Sequence, residues 1–134
     1  MKALIITNNP RVYDEFSPTV DTEYHEGLSQ DEILRLARDR IHMGAKLLIH
    51  PMMGRIRPHE TPYKSVFLEV PGDDEAAGIA GTDFTSVQII EDSMAETRKF
   101  LENTYMKKYD EGLLKDLQYI DFLLIKSGIE EYSR

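Results

Sequence analysis

Not one cysteine occurs among the 134 residues. Disulfides, thiol nucleophiles, iron–sulfur clusters and cysteinyl zinc sites are thereby excluded. Long apolar runs are also missing. Runs such as Leu47-Leu48-Ile49 and Phe122-Leu123-Leu124-Ile125 fall far short of the roughly 20 residues that span a bilayer. Met1-Lys2 leads directly into Ala3-Leu4-Ile5-Ile6 with no secretory signal before it, so no membrane partner and a cytoplasmic location are expected. Positive charge is scarce: 16 Lys and Arg face 24 Asp and Glu, a net charge of −8. That balance argues against a nucleic-acid partner, because neutralising phosphates needs clustered cations. There is no glycine-rich phosphate loop. Gly78-Ile79-Ala80-Gly81 precedes an expected strand where a dinucleotide fingerprint would join strand to helix, and no cofactor is expected.

What remains is an ordinary globular balance, 41% hydrophobic and 30% charged, in a length that suits one domain over residues 1–134. The charge is unevenly placed. Residues 42–64 hold Lys46, Arg55, Arg57 and Lys64 against Glu60 alone, giving +3 and leaving −11 for the rest. Three of the four histidines, His42, His50 and His59, fall in the same stretch. A basic patch on an acidic chain reads as a local anion site.

Residues 3–6 read as a buried strand ending in the polar turn Thr7-Asn8-Asn9-Pro10. A short helical piece is expected over 12–16 and an extended segment over 19–24. The first well-marked helix covers 29–43, with Ser29 and Glu32 forming a capping box and Gly44 the left-handed stop. A second buried strand is expected at 46–49, then a long loop over 50–62 that Pro51, Gly54, Pro58 and Pro62 keep irregular. A strand follows at 65–70, an acidic surface loop at 71–83 and another strand at 86–90. Helices are expected over 92–105, with Glu91-Asp92 as electrostatic capping, and over 110–126, stopping at Gly128. The last is apolar on most faces, which suggests a homodimer contact. The expected fold is α/β: a small single domain with a mixed or mainly parallel sheet of four to five strands flanked by three helices. The stretch 19–49 is its best candidate for a right-handed crossover unit.

If the strands at 3–6 and 46–49 are parallel neighbours, their two following turns share one sheet edge, where α/β proteins bind ligands. Asn8, Asn9, His50, Arg55, Arg57, His59, Glu60, Tyr63 and Lys64 are the candidate ligand residues, and the ligand a small carboxylate or phosphate that arginine grips in pairs. The competing reading gives the Asn pair to local backbone bonds and the arginines to solvent. His42, His50, His59 and Glu60 match no compact metal motif, so no metal site is expected. No nucleophile–base–acid set follows from spacing, and whether the chain is an enzyme stays open.

Several blocks in order, Ile5-Ile6-Thr7-Asn8-Asn9-Pro10, Lys46-Leu47-Leu48-Ile49-His50-Pro51-Met52-Met53-Gly54, Arg57-Pro58-His59-Glu60-Thr61-Pro62-Tyr63-Lys64-Ser65 and Ile89-Ile90-Glu91-Asp92-Ser93, resemble the GrdX family. That resemblance implies service to the glycine, sarcosine and betaine reductase systems of anaerobic bacteria, with no molecular role attached. Those reductases use selenol and thiol chemistry, so a chain without either group is an accessory or binding component in that setting. A reductase subunit is the protein partner it implies, and docking on that subunit without any small-molecule site is the alternative function.

Overall fold

The computed structural model describes residues 2–54, 56–72, 81–103 and 108–133. Strand β1 (Lys2–Thr7) is followed by helix α1 (Pro10–Phe16), strand β2 (Asp21–Tyr24), helix α2 (Gln30–His42) and the short strand β3 (Lys46–Leu47). A 3-10 turn at Pro58–Glu60 precedes strand β4 (Ser65–Val70), and helices α3 (Phe84–Asn103) and α4 (Glu111–Tyr132) complete the order. The sheet is four-stranded, in the order β2-β1-β4-β3. β1 and β2 are parallel, and β4 runs antiparallel to both of its neighbours.

Side-chain alternation along β1 and β4 divides the core in two. Leu4, Ile6, Val66, Leu68 and Val70 face α2 and α3, meeting Ile33, Leu34, Ala37, Ile41, Ile90 and Met94. Ile5 and Phe67 face the other way, against Val12 of α1 and Phe122 and Ile125 of α4. Three layers result, helices on both faces of a mixed sheet. Among the described residues, no helix is long and apolar enough to cross a membrane.

Several sequence expectations hold. Ser29 and Glu32 make the reciprocal capping box, and Gly44 turns the chain at φ +105°. Asn9 caps α1 by accepting from the Arg11 N–H, with Pro10 at the first turn. Others are corrected. Residues 86–90 are not a strand; they form the first turns of α3, where Ser86, Ile90, Ser93, Met94 and Thr97 are buried at helical spacing. The start is set by Asp83, whose carboxylate accepts from the Ser86 N–H at 3.1 Å. Glu91 and Asp92 therefore lie inside a helix, exposed, with Asp92 accepting from the Gln88 amide. Residues 46–49 do not form a buried strand. β3 is two residues long at the sheet edge, where Lys46 is exposed. Hence β1 and β3 are not neighbours: β4 lies between them, and antiparallel pairing on both its sides makes them co-directional. The stretch 19–49 does carry the chain between co-directional strands, β2 and β3, but these sit at opposite edges. Of the loop expected over 71–83, residues 73–80 lie outside the described residues.

The last correction concerns Gly128, which does not stop α4; the helix continues to Tyr132. Its role is clearance. A Cβ at Gly128 would stand 2.6 Å from Cγ2 of Ile49, so the missing side chain lets α4 lie against the segment after β3. The Gly128→Ala variant gains about 1 kcal/mol of helix propensity yet forces the β-branched Ile49 aside, an overpacking cost of about 1–3 kcal/mol. A net loss is expected, read as a melting temperature lower by a few degrees. An unchanged or higher melting temperature would show that the contact is loose.

Candidate functional site

The carboxyl ends of β1, β2 and β3 and the start of β4 share one edge of the sheet, so the turn after β1 and the loop before β4 converge there as expected. Asn8 joins them. Its Nδ2 donates to the carbonyls of Leu28 (2.7 Å) and Pro62 (2.9 Å), and its Oδ1 accepts from the Lys64 N–H (2.9 Å). Asn9 ties the same turn to α4: Nδ2 donates to the Gln118 carbonyl (3.0 Å) and to Asp121 Oδ2 (2.9 Å). Both amides are engaged within the fold, and apart from the Asn9 bond to the Arg11 N–H their partners are distant in sequence and not the local backbone groups of the turn reading.

Asp121 is the hub beneath this edge. The Asn9 N–H donates to Thr7 Oγ1 (2.9 Å), Thr7 and Ser65 hydroxyls meet at 2.6 Å, and Ser65 Oγ donates to Asp121 Oδ2 at 2.6 Å. The Ser65 proton points at the carboxylate, so Thr7 supplies the donor to Ser65. Burial pushes the Asp121 carboxyl above the ordinary carboxylate range; the bonds from Ser65 and Asn9 and the Lys64 charge oppose it. Lys64 is held below its ordinary value by burial, against Asp121 and then Glu96. Its ammonium donates to the Pro51 carbonyl at 2.7 Å. Both residues are half-buried as a whole, while their charged ends are enclosed. A hollow of about 20 Å³ borders Lys64, Ser65, Asp121 and His50, too small for more than a water.

The sizeable cavity lies to the other side of Asn8. It measures about 590 Å³ and opens between the ends of β1 and β2, the first turn of α2, residues 58 and 61–63, Leu101 of α3, and Tyr109, Leu114 and Gln118. Gln30 anchors its floor: the side chain is 3% exposed, and Nε2 donates to the carbonyls of Pro58 (3.0 Å) and Thr61. The Tyr63 hydroxyl accepts from Gln118 Nε2 at 2.7 Å. Burial raises the Tyr24 and Tyr109 hydroxyls above the ordinary phenol range, with Glu26 adding to the effect at Tyr24 and Glu60 at Tyr109.

Eight of the nine candidate residues separate into three places. Asn8 and Tyr63 line the large cavity. Asn9, Lys64 and His50 surround the Asp121 hub, His50 exposed and accepting from the Met52 N–H. Arg57, His59 and Glu60 lie at the 3-10 turn. His59 stacks on Phe100 (5.6 Å between centroids), Arg57 lies 6.0 Å from the same ring, and Glu60 accepts from the Arg57 N–H. Arg55 lies outside the described residues. Among the described residues, no three metal-ligating side chains cluster. Sequence reasoning missed Asp121, Gln118 and Gln30. The available signal was that Gln118 and Asp121 are the polar residues within the apolar stretch 117–125, three residues apart and so on one face.

Two measurements check the hub. Ser65→Ala removes the hydroxyl between Thr7 and Asp121, and about 1–3 kcal/mol of stability should go with it. The pH dependence follows from the raised carboxyl. Its stabilising contribution is fully present below the ordinary aspartate value of about 3.9 and is lost as pH rises through the higher folded value. Urea unfolding of wild type and Asp121→Asn should therefore show a stability difference that shifts against the wild type on going from about pH 3.5 to pH 7. A difference that does not move with pH would contradict the assignment.

No curated protein and no solved structure matches the chain. A family model described as "GrdX-like protein" matches residues 4–130, a span holding the β1 turn, the cavity wall and the Asp121 hub. The chain belongs to the GrdX-like protein family.

Proposed function

We propose that this protein is an accessory component of an amino-acid (glycine, sarcosine or betaine) reductase system and binds a small molecule in the 590 Å³ cavity at the carboxyl edge of its sheet. Family membership supports the setting. The observation that carries the ligand reading is the cavity itself: it sits where parallel α/β strands end, and apolar side chains and a few convergent polar groups form its wall. The absence of cysteine keeps any role in such a system free of thiol–disulfide chemistry. An anionic ligand, expected from the loop charges, would be gripped by Arg57 outside this wall, because none of the described residues lining the cavity is a Lys or Arg.

A thermal-shift screen of phosphate, small carboxylates, amino acids and small amines tests the reading. A ligand at about 100 times its Kd adds about 2.7 kcal/mol, a rise of several degrees. The rise should disappear in Leu114→Trp, which fills the cavity from α4. A shift that persists in that variant would place binding elsewhere.

A second reading is protein docking, favoured by Tyr119, Ile120 and Leu123, which leave adjoining apolar surface exposed on α4. Its form here is a homodimer through α4, with a reductase subunit as the other candidate partner. Light scattering should then report a dimer that Leu123→Asp converts to a monomer; a monomeric wild type removes the homodimer.

A further inference from the structure

The ligand class follows from what the cavity wall carries and what it lacks, an extension that rests on the ligand-binding reading above. We propose that the cavity takes a small organic amine with an apolar or aromatic body, its ammonium group held at the rim by Glu26 and Glu32 beside the Tyr24 ring.

Among the described residues, the wall includes two carboxylates, Glu26 and Glu32, and no Lys, Arg or His. The first turn of α2 belongs to the same wall, and a helix start ordinarily attracts anions. Here that capacity is already taken. Glu32 accepts from the Ser29 N–H, Ser29 Oγ accepts from the Glu32 N–H, and Asp31 adds a second carboxylate to the turn. The bonds from Ser29 hold the Glu32 carboxyl below its ordinary value, so it carries its charge across the neutral range. An incoming carboxylate or phosphate would meet repulsion with no compensating cation.

Two further features favour a donor. Gln30 is fixed by its two Nε2 bonds, which leaves Oε1, an enclosed acceptor on a wall residue, without a donor among the described residues. Oε1 is sealed from solvent, so it adds acceptor character behind the wall and does not meet a ligand directly. At Tyr24 the hydroxyl is raised first by burial, which disfavours any charge, and then by Glu26, Tyr63 and Asp14; only the carboxylate part of that effect favours a cation at the same place. An aromatic face next to a carboxylate suits an ammonium group through the ring quadrupole as well as through charge. The body of the ligand is set by Leu28, Leu101, Leu114, Pro58 and Pro62, which make the remaining wall largely apolar.

Calorimetric titration of the full chain with phenylpropylamine, phenylpropanol and phenylpropionate separates charge from shape, since the three share one body and differ in the head group. The amine should bind about tenfold more tightly than the alcohol, and the acid more weakly than either. Glu26→Gln and Glu32→Gln should each weaken amine binding about fivefold, Gln at position 32 preserving the helix cap. Added salt should weaken the amine and leave the alcohol unchanged. Equal binding of amine and alcohol, or amine binding untouched by both Gln variants, overturns the charge assignment. If that binding is still abolished by Leu114→Trp, or by Leu101→Trp should the first variant fail to fold, the cavity itself stands. If none of the three probes binds the wild type, the amine assignment and the cavity reading both fall.

Discussion

An enclosed carboxyl group cannot be left without donors, and meeting that requirement for Asp121 organises the functional edge of this protein. Its partners come from distant parts of the chain: Asn9 after β1 and Ser65 at the start of β4, with Thr7 behind Ser65 and the Lys64 charge nearby. Removing any one donor leaves a charge or a proton stranded away from water. The arrangement therefore fixes how α4 lies across the end of the sheet. Gln118 and Leu114, one and two turns before Asp121 on α4, then fall on the wall of the large cavity. Asn8 performs the matching task on the opposite side, joining the loop before α2 to the loop before β4. The cavity is thus bounded by segments that the polar network has already placed.

That view explains how this chain dispenses with a regular connection between β3 and β4. Among the described residues, the 50–64 stretch has only the 3-10 turn at Pro58–Glu60. Its carbonyls are nonetheless held at Pro51 by Lys64, at Pro58 and Thr61 by Gln30, at His59 by Tyr109 and at Pro62 by Asn8. Side chains stand in for the missing ladder, satisfying backbone groups one at a time. A loop held in this way can shape a cavity without contributing a strand.

Local signals in the sequence located most of this architecture. The apolar run at β1, the Ser29–Glu32 box and Gly44 depend only on neighbours in the chain, and each was legible. The start of α3 was not, because its cap Asp83 ends an acidic stretch and Ser86-Val87-Gln88-Ile89-Ile90 carries the β-branched residues of a strand; packing of Ser86, Ile90 and Met94 at helical spacing decides the matter. Gly128 looked like a stop, since a close approach by Ile49 is a tertiary fact invisible to a local reading. The site shows the same division. Convergence of the β1 turn with the proline-rich loop was predictable from strand direction, whereas the cavity wall draws on Gln30, Tyr24, Tyr109 and Gln118, residues that chain order keeps apart. The loop cations, conspicuous in the sequence, fall elsewhere: Lys64 is enclosed at the hub and Arg57 lies by Phe100.

The central claim is that the cavity beside Asn8 is where a ligand sits and that its rim selects for positive charge. Amide-resolved NMR titration of the labelled protein with phenylpropylamine tests this most directly. Shifts should concentrate in residues 24–32 and 58–63 and at Leu114 and Gln118, with the His50 side of the loop unmoved. Shifts confined to that side or to the exposed stripe of α4, or none at saturating amine, would contradict the account.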